Sequence, residues 1–108
     1  MDNGVYTIDT IRSLLTATLN QYGVDKAYVF GSYARNEATP DSDIDIMIKS
    51  EEIKSLFVLG GLFEDIKKAL NKGVDLITEE AYTHPYADDL AKEFYSRVVK
   101  ERTLIYER

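Results

Sequence analysis

One run constrains the fold of this chain more than any other. From Asp43 to Lys49, isoleucines at 44, 46 and 48 alternate with Asp43, Asp45, Met47 and Lys49. Alternation of period two belongs to a β-strand with one buried face, because successive side chains point to opposite sides. The isoleucines are therefore expected in the core, and Asp43 and Asp45 are expected to emerge together on the opposite face.

A strand needs partners, and the sequence offers three. Ala27-Tyr28-Val29-Phe30 is aromatic and β-branched, stopping at Gly31-Ser32; Val74 to Ile77 is a short apolar run broken by Asp75; Thr103 to Tyr106 supplies a last candidate. Between them lie three helical patterns. Thr7 to Tyr22 carries Ile8, Ile11, Leu14, Leu15, Leu19 and Tyr22 at helical spacing, with Thr7 as N-cap and Gly23 closing the end. Ser55 to Leu70 is apolar at 56, 59, 62, 63, 66 and 70 and ends at Asn71-Lys72-Gly73. Its internal Gly60-Gly61 pair costs about 1 kcal/mol per glycine relative to alanine, which suggests close packing against the sheet. Pro85 to Lys100 reads as a third helix with the stripe Ala87, Leu90, Ala91, Phe94 and Val98; Asp88 and Asp89 sit in its first turn and Lys100 in its last, as the helix dipole favours. The order α-β-β-α-β-α-β predicts an α+β fold, a small mixed sheet with helices packed against it. At 108 residues the expectation is one domain spanning 1–108.

Composition removes several function classes. There is no cysteine and one histidine, which excludes disulfides and Cys/His zinc sites. No apolar run approaches the roughly 20 residues of a membrane span, and the start MDNGVYTIDT has the pattern of no signal peptide; a cytoplasmic protein is expected. The net charge of −6 argues against direct binding to a nucleic-acid backbone, which needs clustered Lys and Arg.

Chemistry concentrates in GSYARNEATPDSDIDIMI, Gly31 to Ile48. A glycine where a strand ends lets the backbone approach a phosphate, and the exposed N–H groups of such a turn cradle it. Ser32 adds a hydroxyl, and Arg35 is placed to contact phosphate oxygens. The P-loop lysine and second glycine are missing, so this is not a P-loop, and a tight turn that simply needs small residues is the other reading of Gly31-Ser32 taken alone. Asp43 and Asp45 lie roughly 7 Å apart on one strand face and repel unless a cation bridges them, and Mg²⁺ combines one or two carboxylates with phosphate oxygens. Asp75, inside an apolar strand, is a third candidate ligand. Together they suit two-metal phosphoryl or nucleotidyl transfer. Asp41, Asp43, Asp45 and Glu52 fit four positions of an EF-hand loop, but Ile46 stands where that loop needs glycine, and the run alternates like a strand.

These residues resemble the DNA polymerase β-like nucleotidyltransferase superfamily, in particular its minimal nucleotidyltransferase (MNT) group, whose pattern is G-S-x-A-R-G, then S-D-x-D, then a later acidic residue. Gly31-Ser32-Tyr33-Ala34-Arg35 and Ser42-Asp43-Ile44-Asp45 match, and Val74-Asp75-Leu76 fits the third element. Asn36 replaces the usual glycine; asparagine also tolerates the left-handed conformation. The resemblance implies the polymerase β-like fold and two Mg²⁺ ions held by Asp43, Asp45 and Asp75, with Asp75 activating the attacking hydroxyl. It further implies that Gly31 and Ser32 hold the β- and γ-phosphates of a nucleoside triphosphate such as ATP, with Arg35 and Ser42 as further nucleotide contacts. The implied reaction is adenylyl transfer to a hydroxyl with release of pyrophosphate. Many such proteins resemble antitoxins encoded beside a helical HEPN-type partner, so the resemblance implies a partner of that kind, and a binding module that works by docking alone is the alternative. An aminoglycoside-modifying enzyme fits less well, because those carry an extra helical domain. A homo-oligomer is compatible with everything above.

His84 precedes Pro85 and is expected on the surface or in a cap. Tyr22 and Tyr28 are expected in the core, and Tyr33 is the one tyrosine considered for substrate contact.

Overall fold

The computed structural model describes residues 4–108; Met1, Asp2 and Asn3, the first part of the stretch read for targeting signals, lie outside the described residues. No helix among the described residues is long and apolar enough to cross a membrane. The elements run α1 (Ile8–Gln21), β1 (Lys26–Phe30), β2 (Ile44–Lys49), α2 (Leu56–Leu70), β3 (Val74–Thr78), α3 (Glu80–Thr83), α4 (Asp89–Glu101) and β4 (Thr103–Glu107). The strands form one sheet in the order β3-β2-β1-β4, with β2 parallel to β3 and the other pairs antiparallel. Parallel neighbours need a crossover connection, and α2 provides it. This is the mixed sheet with packed helices that the periodicities imply.

Local chemistry sets most boundaries. The Thr7 hydroxyl caps α1 by accepting the Thr10 N–H at 3.1 Å. At the other end Gly23 takes φ +70, and the Val24 N–H returns to the Leu19 carbonyl, the pattern of a left-handed C-terminal cap. Ser55 caps α2, and Asn71, at φ 52, ends it.

The sheet has two covered faces. Ile44, Ile46 and Ile48 join Ala27 and Val29 against Ile11, Leu15 and Leu19 of α1 and Leu62, Ile66 and Leu70 of α2. On the opposite face Met47 is fully buried with Phe30 beneath Val98 and Phe94 of α4. The alternation of β2 indicated one buried face; α4 covers the second, because Met47 and Phe30 offer it an apolar footing.

Several expectations are corrected. The third helix does not begin at Pro85. The chain first makes the single turn α3, bends through His84 to Ala87, and enters α4 when Asp88 accepts the Ala91 N–H at 2.8 Å. A side-chain cap decides the start, and Pro85 belongs to the bend. His84 caps locally, its Nδ1 accepting the Tyr86 N–H at 3.1 Å. Leu90 is 78% exposed, on the side of the first turn away from the sheet, and Leu14 of α1 is 40% exposed at the edge of its stripe. The Gly60-Gly61 pair does not pack on the sheet: among the described residues a Cβ on Gly60 would meet nothing within 4 Å, and one on Gly61 would meet the hydroxyl of Tyr22, the residue that follows α1. Leu62, Ile66 and Leu70 form the sheet-facing stripe of α2 instead.

Leu62→Ala should destabilise the fold by about 3 kcal/mol through the cavity it leaves. Leu90→Ser should stay within about 0.5 kcal/mol of the parent. Urea denaturation of both variants measures the contrast.

Candidate active site

A row of three residues crosses the sheet on the face that α4 covers. In register, Phe30 of β1 stands opposite Asp45 of β2, and Asp45 stands opposite Asp75 of β3. Neighbouring strands lie about 4.8 Å apart, so the pairing alone makes the two carboxylates close neighbours. Asp43 immediately precedes β2, two residues from Asp45 and so on the same face. It lies against Gly73, the residue before β3.

Two glycines make room for this acidic cluster. A Cβ on Gly73 would overlap Asp43 Oδ1, and a Cβ on Gly31, which takes φ +71, would overlap Asp45 Oδ2. Gly31 is thus needed twice, for its left-handed backbone and for its missing side chain.

The carboxylates feel one another. Burial pushes the Asp45 carboxyl up to about 6 from an ordinary 3.8, and hydrogen bonding with Asp75 and repulsion from Asp75 and Asp43 push the same way; Arg35 partly opposes them. A carboxyl in this state has too much negative charge nearby and too little solvent. Among the described residues no three His, Cys, Asp or Glu side chains form a ready-made metal cage. Crowded oxygen donors nonetheless fit Mg²⁺, which takes one or two carboxylates and completes its shell with water and phosphate.

Beside the row, the chain leaves β1 through one helical turn, with the Arg35 N–H on the Gly31 carbonyl at 3.0 Å and the Glu37 N–H on the Ser32 carbonyl at 2.9 Å. Asn36 ends the turn at φ 60, the left-handed conformation its glycine-like position requires. Gly31, Ser32, Arg35 and Asp45 line one side of a cavity of about 430 Å³, and α4 lines the other with Arg97 and Glu101 among its residues. Those two were missed in the sequence. Their only signal was spacing: Arg97 and Glu101 share the helical stripe of Phe94 and Val98, where polar side chains are out of place.

Two expected contacts lie elsewhere. Ser42 does not line this cavity: its hydroxyl accepts the Thr39 N–H at 2.9 Å and closes the turn before β2. Tyr33 is buried in the α1–α2 side of the core, its hydroxyl without a hydrogen-bond partner among the described residues, and does not line the cavity either. Tyr22 and Tyr28 are half-buried; the Tyr22 hydroxyl donates to Asp65 at 2.6 Å, and Tyr28 lies 3.9 Å beneath the Arg102 guanidinium.

The sequence profile of the nucleotidyltransferase domain family matches residues 11–105. The chain belongs to that family. It is a nucleotidyltransferase, an enzyme class whose members move a nucleotidyl group. It is 37% identical over 91 residues to the protein adenylyltransferase MntA of Thermococcus cleftensis, covering 81% of this chain and 92% of that one. Its fold matches a chain of a toxin–antitoxin complex solved with AMP-PNP at a TM-score of 0.69 and 20% identity, over 90% of this chain and 73% of the other. A chain from the tri-AMPylated Shewanella oneidensis HEPN toxin in complex with its MNT antitoxin matches at a TM-score of 0.64 and 18% identity, over 94% and 74%. At these identities the two structures show the nucleotidyltransferase fold, and the family itself rests on the sequence match.

The raised Asp45 carboxyl gives a pH signature. The folded state holds this proton up to about pH 6, whereas the unfolded chain releases it near its ordinary value. Its contribution to stability is therefore fully present below the unfolded value and is lost as pH rises through the folded one. Asp45→Asn in EDTA should gain stability over the parent between pH 4 and 7, by about 1 kcal/mol after allowing for solvent screening of a half-exposed group. A difference that stays flat across that range in urea melts contradicts the crowding.

Proposed function

We propose that this nucleotidyltransferase transfers an adenylyl group from ATP to a hydroxyl on a protein partner, with pyrophosphate as the other product. The observation that carries the reading is the joint placement of the Gly31-Ser32 turn and Asp45 on one cavity, with Asp75 across the strand from Asp45. A turn of this kind holds phosphates, and a crowded set of carboxylates calls for divalent cations. The name of the Thermococcus cleftensis relative and the nucleotide in the matching toxin–antitoxin structure support ATP as donor.

In this reading Gly31 and Ser32 seat the β- and γ-phosphates, and Arg35 neutralises part of their charge. Asp43, Asp45 and Asp75 hold two Mg²⁺ ions. When bound, Mg²⁺ supplies Lewis-acid stabilisation of charge on the transferring phosphorus and the leaving pyrophosphate. Asp75 is exposed at the open side of the row, where it can take the proton of an incoming hydroxyl. The bond between the α-phosphorus and the bridging oxygen to the β-phosphate breaks as the hydroxyl oxygen attaches to the α-phosphorus. Residues 1–108 act as one domain, and the acceptor hydroxyl belongs to a partner, for which a helical HEPN-type protein is the candidate.

Docking without transfer is the second reading, and one observation favours an added docking role: Leu56 and Phe57, at the start of α2, are 86% and 90% exposed. Apolar side chains so exposed suit a surface that another protein covers.

Incubation with labelled ATP, Mg²⁺ and the HEPN-type partner should label the partner. Asp43→Asn or Asp45→Asn should reduce labelling at least about 100-fold, as expected where transition-state charge loses its support. Complexes that form normally with either variant, but are never labelled with the parent chain, would leave docking as the function.

A further inference from the structure

The Gly31 turn presents an anion seat, and a side chain of the same protein sits in it. The Gly31 N–H donates to Glu101 Oε2 at 2.7 Å, and Arg35 Nη1 donates to Glu101 Oε1 at 3.0 Å and Oε2 at 3.2 Å. The Glu101 side chain is 24% exposed and reaches the turn from the last residue of α4, seventy positions away in sequence. One carboxylate thus takes the backbone donor and the Nη1 side of the Arg35 guanidinium, whose Nε donates to Glu37 Oε1 at 2.9 Å.

Its position on α4 is unfavourable in itself. The last turn of a helix carries the negative end of the dipole and prefers Lys or Arg, so Glu101 is held there chiefly by Gly31 and Arg35. Neighbouring charge adds to this. Asp45 lines the same cavity, so a carboxylate in the seat stands near further negative charge. Arg97, one turn back along α4, lines the cavity and makes no ion pair or hydrogen bond among the described residues. A polyphosphate entering the cavity would meet Gly31, Arg35 and the unpaired Arg97, and would have to move Glu101 aside to use the first two.

We propose that Glu101 is an internal competitor for the β- and γ-phosphates. It fills the Gly31–Arg35 seat when no polyphosphate is bound, yields it to the triphosphate, and returns to help pyrophosphate leave. The exchange breaks no covalent bond: one anion replaces another on the same donors. Ligands that use the seat are weakened by the cost of displacing Glu101, and a nucleoside monophosphate, whose single phosphate belongs at the position of attack, is not. Glu101 therefore sets how strongly the site holds polyphosphates relative to monophosphates. The inference rests on the reading that Gly31 and Ser32 seat the β- and γ-phosphates.

The test is calorimetric binding of AMP-PNP, pyrophosphate and AMP, each with Mg²⁺, to the parent chain, Glu101→Gln and Glu101→Asp. The amide of Glu101→Gln still accepts from Gly31 but carries no charge, and the shorter carboxylate of Glu101→Asp keeps the charge but retreats from Gly31. Charge-assisted hydrogen bonds are about twice as strong as neutral ones, so Glu101→Gln should bind AMP-PNP and pyrophosphate about tenfold more tightly. AMP binding should change by less than about twofold, since it does not use the seat. Glu101→Asp should shift in the same direction by less. Thermal melts of the variants check that each is folded, and a merely structural role would not change the ratio of pyrophosphate to AMP affinity. Unchanged or weaker pyrophosphate binding in both folded variants, with AMP-PNP binding intact in the parent, overturns the competitor role alone. Absence of AMP-PNP binding by all three proteins overturns the nucleotide reading and this inference with it.

Discussion

Everything at the site depends on the parallel pairing of β2 with β3 in the register that sets Asp45 opposite Asp75. Because the side-chain period of a strand is two, a slip of one residue would turn either carboxylate to the other face. The register is fixed from the opposite side. Ile44, Ile46 and Ile48 are buried against α1 and α2, and exposing them would cost several kcal/mol. An apolar face thus holds an electrostatically unfavourable one in place. The repulsion among Asp43, Asp45 and Asp75 is imposed by the core, and it leaves the site prepared for positive charge.

The second support is α4. It sits over Phe30 and Met47 through Val98 and Phe94, and its C-terminal end is fixed by Arg102. That guanidinium lies over the Tyr28 ring at 3.9 Å and pairs with Glu79 at 2.9 Å, both acidic and basic partners being largely buried. Arg102 follows Glu101 directly, so the anchor that holds the helix end also determines where Glu101 reaches. The same packing builds the far wall of the cavity and places Arg97 on it. Fold and site are thus joined at α4, where a helix packed for stability carries the charges that face the Gly31-Ser32 turn.

Glycine and asparagine have a similar double role near the site. Gly31 takes a left-handed backbone and leaves space for Asp45, while Gly73 leaves space for Asp43. Asn36 adopts φ 60, so the left-handed position that closes the turn is filled without a glycine. The Gly60-Gly61 pair shows the limit of reading glycines from spacing. Among the described residues nothing lies within 4 Å of a Cβ on Gly60, and Gly61 faces Tyr22, just past α1, rather than the sheet.

By itself the sequence determined whatever depends on local period and local capping. The alternation around Ile44 to Ile48 settled β2 and the common face of Asp43 and Asp45, Thr7 and Ser55 started their helices, and Gly31 marked the end of β1. Two of the three motif elements cluster within eighteen positions, Gly31 to Ile48, which made the resemblance legible before the fold. What only the tertiary structure decided depends on contacts between distant segments. The pairing of Asp75 with Asp45 required a crossover to close correctly, and α4 begins at Asp89 because Asp88 caps it after an α3 turn that spacing did not reveal. Glu101 reaches Gly31 across seventy residues. No periodicity encodes that contact, since it follows from how α4 packs on the sheet.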